Sequence, residues 1–166
     1  MNCPSCGAPM RLKPDMASFQ CDYCQSVYFP DADDDGVRVL GEPSDESCPV
    51  CRIPLMNATV ANLRICYCTQ CHGMSIPMQV FEDLVERLRA QADGALVQPA
   101  AGSDDLNRKT GCPRCNKRMD THLFGGAGNV VIDTCEECCL NWLDRGKLMH
   151  IAHAPDERPS ESLSEY

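Results

Sequence analysis

Between Pro77 and Gln91 the apolar residues Val80, Phe81, Leu84, Val85 and Leu88 recur at three- and four-residue intervals, with Glu82, Asp83, Glu86, Arg87 and Arg89 between them. That period writes one apolar stripe along an amphipathic helix, with Pro77 at the first turn, where its missing N–H costs nothing. A second, shorter helix is expected from Asp144 as N-cap to about His153, with Leu143 and Leu148 placed as a hydrophobic staple and Pro155 ending it. Elsewhere the period falls to two. Ala58 to Tyr67 and Val130-Val131-Ile132 read as returning strands of two hairpins, the second turning through Gly125-Gly126-Ala127-Gly128-Asn129. A phosphate-cradling role for those glycines fails, because neither a following helix nor the Lys-Ser/Thr pair of a P-loop is present.

Cysteines frame these hairpins. Twelve of the fourteen form C-x-x-C pairs that group as Cys3/Cys6 with Cys21/Cys24, Cys48/Cys51 with Cys68/Cys71, and Cys112/Cys115 with Cys135/Cys138. A tight turn aims two thiolates at one point, and two facing turns close a tetrahedron, which is the layout of a structural zinc ribbon. With four protein ligands no position stays open for water or substrate, so three structural Zn2+ ions are expected and catalytic zinc is not. Iron held by the same four sulfurs is the chemical alternative. A disulfide framework would need an oxidising compartment. Cys3 opens the first motif too early for a signal peptide and no run reaches membrane-span length, so a cytoplasmic protein with reduced thiols and no membrane partner is expected.

Aligned on their second cysteine pairs, the three units form an internal repeat. Residues 48–91 and 112–153 match best: both open Cys-Pro-x-Cys, place Leu55 or Met119 four positions later, and set Ile76 against Leu143 and Phe81 against Leu148. The first unit is shorter, with Met10 at the apolar position and Tyr28-Phe29 where the third has Trp142-Leu143. The fold expected is therefore small, metal-stabilised and β-rich, with three tandem zinc ribbons, the second and third each followed by a short α-helix. Ribbon 1 covers 1–30, an acidic linker 31–47, ribbon 2 with its helix 48–91, a second linker 92–111, ribbon 3 with its helix 112–153, and an acidic disordered tail 154–166.

Charge narrows the function. The chain carries −9 formally, and twelve ligating thiolates with three zinc(II) ions would take it to about −15. Duplex and single-strand binders need a basic surface to release counterions from phosphate, so nucleic acid is a disfavoured partner. Arg108-Lys109 and Lys117-Arg118 read as solvated positions. Cys66 and Cys139 lie beside ligand pairs as small, half-buried neighbours, a redox role being the sharper alternative. His72 abuts a completed site, and His150 and His153 end a helix whose dipole they suit. No nucleophile, base and orienting group come together in the pattern, so no catalytic residue is assigned. Trp142 is expected as a lid over its metal site, with Tyr28 doing the same in the first unit, while Ser75 leaves the second without one.

Cys112-Pro-Arg-Cys115, Met119, Asp133-Thr-Cys135-Glu-Glu-Cys138 and Asn141-Trp142-Leu143-Asp144-Arg-Gly146-Lys-Leu148 resemble the bacterial TFIIB-type zinc-finger family, with the second unit as a diverged copy. The resemblance implies the ribbon fold and zinc at Cys112, Cys115, Cys135 and Cys138, and says little of function. Leu140 and Lys147 stand where the family usually has Gly and Glu, which removes a capping-box carboxylate and weakens the second helix start by about 1 kcal/mol. Taken together, these features point to a non-enzymatic, zinc-binding adaptor for a protein partner, with a nucleic-acid-binding regulator and a redox-controlled zinc protein or holdase as alternatives.

Overall fold

The computed structural model of the chain describes residues 1–13, 18–92, 103–124 and 130–154. Ribbon 1 is a three-stranded antiparallel sheet of β1 (Met10–Leu12), β2 (Phe19–Cys21) and β3 (Val27–Tyr28), in that order. Its small core of Cys3, Met10, Phe19 and Cys21 is completed by Leu40 from the following segment.

That segment holds more structure than its composition suggested. The stretch 31–47, expected as an acidic linker, contains a ten-residue strand, β4 (Arg38–Ser47), antiparallel to β5 (Pro54–Val60). Gly41, Pro43 and five acidic or hydroxyl residues argue against a central strand, and β4 is indeed an edge strand, with register shifts on either side of Pro43. Buried Val37 and Leu40 anchor it. Ahead of it, the Asp33 carboxylate accepts the N–H groups of Asp35 and Val37 at 3.0 and 2.8 Å and so fixes the loop.

Ribbons 2 and 3 are built into one sheet. β5 returns through Ala61-Asn62 into β6 (Leu63–Tyr67), then β7 (Met74–Pro77) leads into helix α1 (Met78–Gln91). Both turn residues have positive φ, 46° and 62°, as a two-residue hairpin matched to strand twist requires. After a short α2 (Ser103–Leu106), β8 (Asp120–Phe124), β9 (Val130–Cys135) and β10 (Leu140–Leu143) repeat the ribbon, and α3 (Lys147–His153) follows. The sheet order is β4-β5-β6-β7-β10-β9-β8, because the third strands of the two ribbons, β7 and β10, pair antiparallel.

Strand alternation then sorts the side chains onto two faces. Met74, Ile76 and Leu143 point to one face, where Phe81, Leu84 and Val85 of α1 meet Leu148 and Ile151 of α3 over a shared core. Trp142 and Leu140 point to the other, among Leu55, Met119 and the cysteines of both ribbons. The helix expected over Pro77–Gln91 is thus present with its predicted stripe inward. The second helix starts two residues later than predicted, its N-cap being Gly146 in place of Asp144. Gly146, at φ 77°, precedes it, and the Asp144 carboxylate caps nothing because three other groups claim it, as described below. The glycine turn 125–129 and the tail 155–166 lie outside the described residues. No described helix is long and apolar enough to cross a membrane.

Candidate metal centres

The structure brings the twelve cysteines of the C-x-x-C pairs together in three groups of four, whose sulfurs lie within 4.8 Å of one another. Opposed sulfurs stand 3.5 Å apart for Cys3–Cys24 and Cys6–Cys21, 3.6 Å for Cys48–Cys71 and 3.8 Å for Cys115–Cys135. A disulfide would place them at about 2.05 Å, whereas metal–sulfur bonds of about 2.3 Å in a tetrahedron put sulfurs about 3.8 Å apart. The spacing fits a tetrahedral ion such as zinc(II).

Local backbone geometry explains why each pair converges. In the first knuckle the Cys3 carbonyl accepts the N–H of Gly7 at 2.8 Å, and Cys48, Cys68 and Cys112 do the same for Arg52, His72 and Asn116 at 3.0, 2.9 and 2.9 Å. Inside the turns, amide groups point at sulfur: Cys51 N–H donates to Cys48 Sγ at 3.2 Å, and Arg114 N–H to Cys112 Sγ at 3.4 Å. Such bonds favour the thiolate.

One feature recurs in all six knuckles. The residue after each second cysteine is left-handed: Gly7 (φ 75°), Gln25 (62°), Arg52 (61°), His72 (60°), Asn116 (58°) and Cys139 (53°). Only Gly and Asn adopt that conformation readily, so the other four positions left no trace in residue type. This accounts for two residues that attracted functional readings. His72 turns the backbone, and its Nδ1 meets the Tyr67 hydroxyl, which is also bonded to the Asp33 carboxylate. Burial, and then the Asp33 carboxylate, holds the Tyr67 phenol well above its ordinary value. Cys139 is exposed and makes the turn, its thiol directed at the Glu136 carbonyl at 3.4 Å. Replacing Cys139 with Gly should therefore stabilise the protein by about 0.5–1 kcal/mol and leave its metal content unchanged, measured as a higher melting temperature.

Crowded sulfur makes full ionisation costly without a cation. Burial together with the neighbouring Cys115, Cys112 and Cys135 pushes the Cys138 thiol up to about 12, while the Ser26 hydroxyl and amide draw Cys24 down to about 6. A divalent ion supplies the missing charge. Cys66 takes no part: it is half-buried outside the cluster, and burial raises its pKa.

The three centres differ in their surroundings. Cys6 and Cys24 of the first are exposed, whereas every ligand of the other two is buried or partly buried. Centres 2 and 3 also share one core, in which Cys48, Cys68, Cys112 and Cys135 surround Leu140 and Trp142. Bonds between their knuckles reinforce this: Ser47 N–H donates to the Pro113 carbonyl at 2.9 Å, Arg114 pairs with the buried Glu46 at 2.9 Å, and Arg52 reaches Asn116 at 3.4 Å.

Trp142 is a lid for two sites, not one. Ser75 and Trp142, each four residues past the last cysteine of its unit, are direct neighbours across the β7–β10 pairing. The local two-fold relation between the ribbons passes between them, and the indole fills space on the second ribbon's side, over Gly73. The second unit therefore has its lid, contributed by the third. Tyr28 packs, partly buried, against the ribbon 1 core.

Arg108 is also more than a solvated position. It forms ion pairs with Asp133, whose side chain is 0% exposed, and with Asp144. Thr121 donates to Asp133 at 2.5 Å, while Lys147 Nζ and Trp142 Nε1 approach Asp144 at 2.8 and 3.3 Å. Burial alone would raise the Asp144 carboxyl, but the bonds from Lys147 and Arg108 hold it below the ordinary range. Lys147 is thus an ion-pair partner of Asp144. Arg108→Met should cost about 2 kcal/mol in a urea titration, because it strands the Asp133 charge, and Arg108→Lys should recover only part of that. His153 Nδ1 lies 2.8 Å from the Met149 carbonyl at the end of its helix. Among the described residues, no histidine joins a cysteine group.

The chain matches no family description, no curated protein and no solved structure.

Proposed function

We propose that the chain is a non-enzymatic zinc protein whose three ions are structural and whose surface binds a protein partner. The observation that carries this is the closure of each centre by four cysteines, which leaves no coordination position for water or substrate. Reduced thiols at all fourteen cysteines suit a cytoplasmic setting. Support for a protein partner comes from exposed Tyr23, Val27, Phe29 and Val50, and from a charge of −9, which opposes phosphate binding. The residues from Cys112 to Leu148 that resemble bacterial TFIIB-type zinc fingers support zinc over iron at the third centre.

Elemental analysis of protein purified without chelator is expected to find three zinc ions per chain. Fewer than three, or iron in their place, would remove the basis of the proposal. Titration with duplex and single-stranded DNA and RNA at physiological salt is expected to show no binding, and a saturable complex with a steep salt slope would favour the nucleic-acid reading instead.

A further inference from the structure

Ribbon 1 repeats the strand order of the other two units without their surroundings. In every unit the hairpin is followed, after the second knuckle, by a third strand: β3, β7 and β10. β7 and β10 satisfy each other's outer edges, whereas β3 is the edge of its sheet, with no strand beside it among the described residues. The faces differ in the same way. Counted from the last cysteine of each unit, Val27 and Phe29 stand where Met74 and Ile76 stand in ribbon 2 and Asn141 and Leu143 in ribbon 3. Met74, Ile76 and Leu143 are 0% exposed beneath the helices, while Val27 and Phe29 are 44% and 52% exposed. Tyr23, on the knuckle that leads into β3, is 82% exposed.

We propose that β3 pairs antiparallel with β3 of a second copy of the chain, so that a true two-fold axis repeats at ribbon 1 what the internal repeat achieves between β7 and β10. Charge selects this occupant. Residues 1–30 carry two basic residues, Arg11 and Lys13, and two acidic ones, Asp15 and Asp22, within a chain of net charge −9. Counting its loaded four-cysteine centre, ribbon 1 carries about −2 of the roughly −15 on the loaded chain, so two copies meet here with much less like-charge opposition than contact through the rest of the surface would incur. In the β7–β10 register Tyr28 lies opposite its own copy, a favourable cross-strand aromatic pair. Pro30 lies just past the strand and limits its length. So short a strand, with three exposed side chains per copy, falls below the roughly 1,200 Å² typical of stable complexes, and the dimer is weak and concentration-dependent.

Sedimentation velocity on the metal-loaded full chain tests this between about 1 and 200 µM, the range in which so small an interface dissociates. The expected result is a monomer at the low end that doubles in mass at the high end. Phe29→Asp and Val27→Lys should each weaken the dimer at least tenfold while keeping three metal ions per chain, and Val50→Asp, an exposed position on ribbon 2, should leave it unchanged. A monomer throughout, or a dimer indifferent to both β3 substitutions in variants that retain their metal, would overturn the proposal.

Discussion

Replacing Cys112 with Ser is expected to empty two centres, leaving one metal ion per chain in place of the three that the cysteine groups could hold. A serine hydroxyl does not ionise near neutral pH, so the third centre loses a ligand. Structural zinc binding is worth about 10–16 kcal/mol in small metal domains, as much as the whole stability of an ordinary domain, and ribbon 3 cannot keep its fold without it. Its unfolding withdraws β10 from β7 and Leu140 and Trp142 from the core around Cys48 and Cys68, which opens the second centre. Ribbon 1 has its own sheet, and its buried core takes only Leu40 from β4, so it should retain its ion. Metal analysis reads the count, and Trp142, the single tryptophan, reads the loss by a red shift of its emission. Cys68→Ser should give the same result and Cys3→Ser should leave two ions. Retention of two ions by the Cys112→Ser protein would show that ribbons 2 and 3 fold independently.

Trp142→Ala is expected to destabilise the seven-stranded body by about 3–5 kcal/mol, because a fully buried indole is removed from a site walled on both sides by metal knuckles that cannot collapse. For a chain of this size that lowers the melting temperature by roughly 10 °C. Gly73→Ala tests the same contact from the opposite side. A methyl group there would overlap the indole, coming 2.7 Å from Cη2, so the substitution should cost about 1–3 kcal/mol in the native background. In the Trp142→Ala background the overlap vanishes, and most of that cost should vanish with it. Additive effects in the double variant would mean that the indole does not rest on Gly73.

Some of this architecture was legible in the order of residues. The three groups of four cysteines were readable because a tetrahedral sulfur site imposes a short, fixed spacing on both of its turns. Helix α1 was readable because burying one face of a helix imposes a period that Val80, Phe81, Leu84, Val85 and Leu88 display directly. What escaped detection was conformational or long-range. Arg52, His72 and Cys139 hold left-handed turns that their identities do not advertise. β4 carries Gly and Pro because it is an edge strand, and those residues resemble a linker. Arg108 looks like any solvated arginine until the fold brings Asp133 and Asp144 to it.

By itself, then, the sequence determined the three four-cysteine groups, the hairpins around them and the two helices, since each follows from contacts among residues close along the chain. Only the tertiary structure decided that ribbons 2 and 3 become one body. That union rests on backbone N–H and C=O groups along β7 and β10, which every residue carries alike, and on one indole placed where two equivalent positions meet. Neither leaves a local pattern to read.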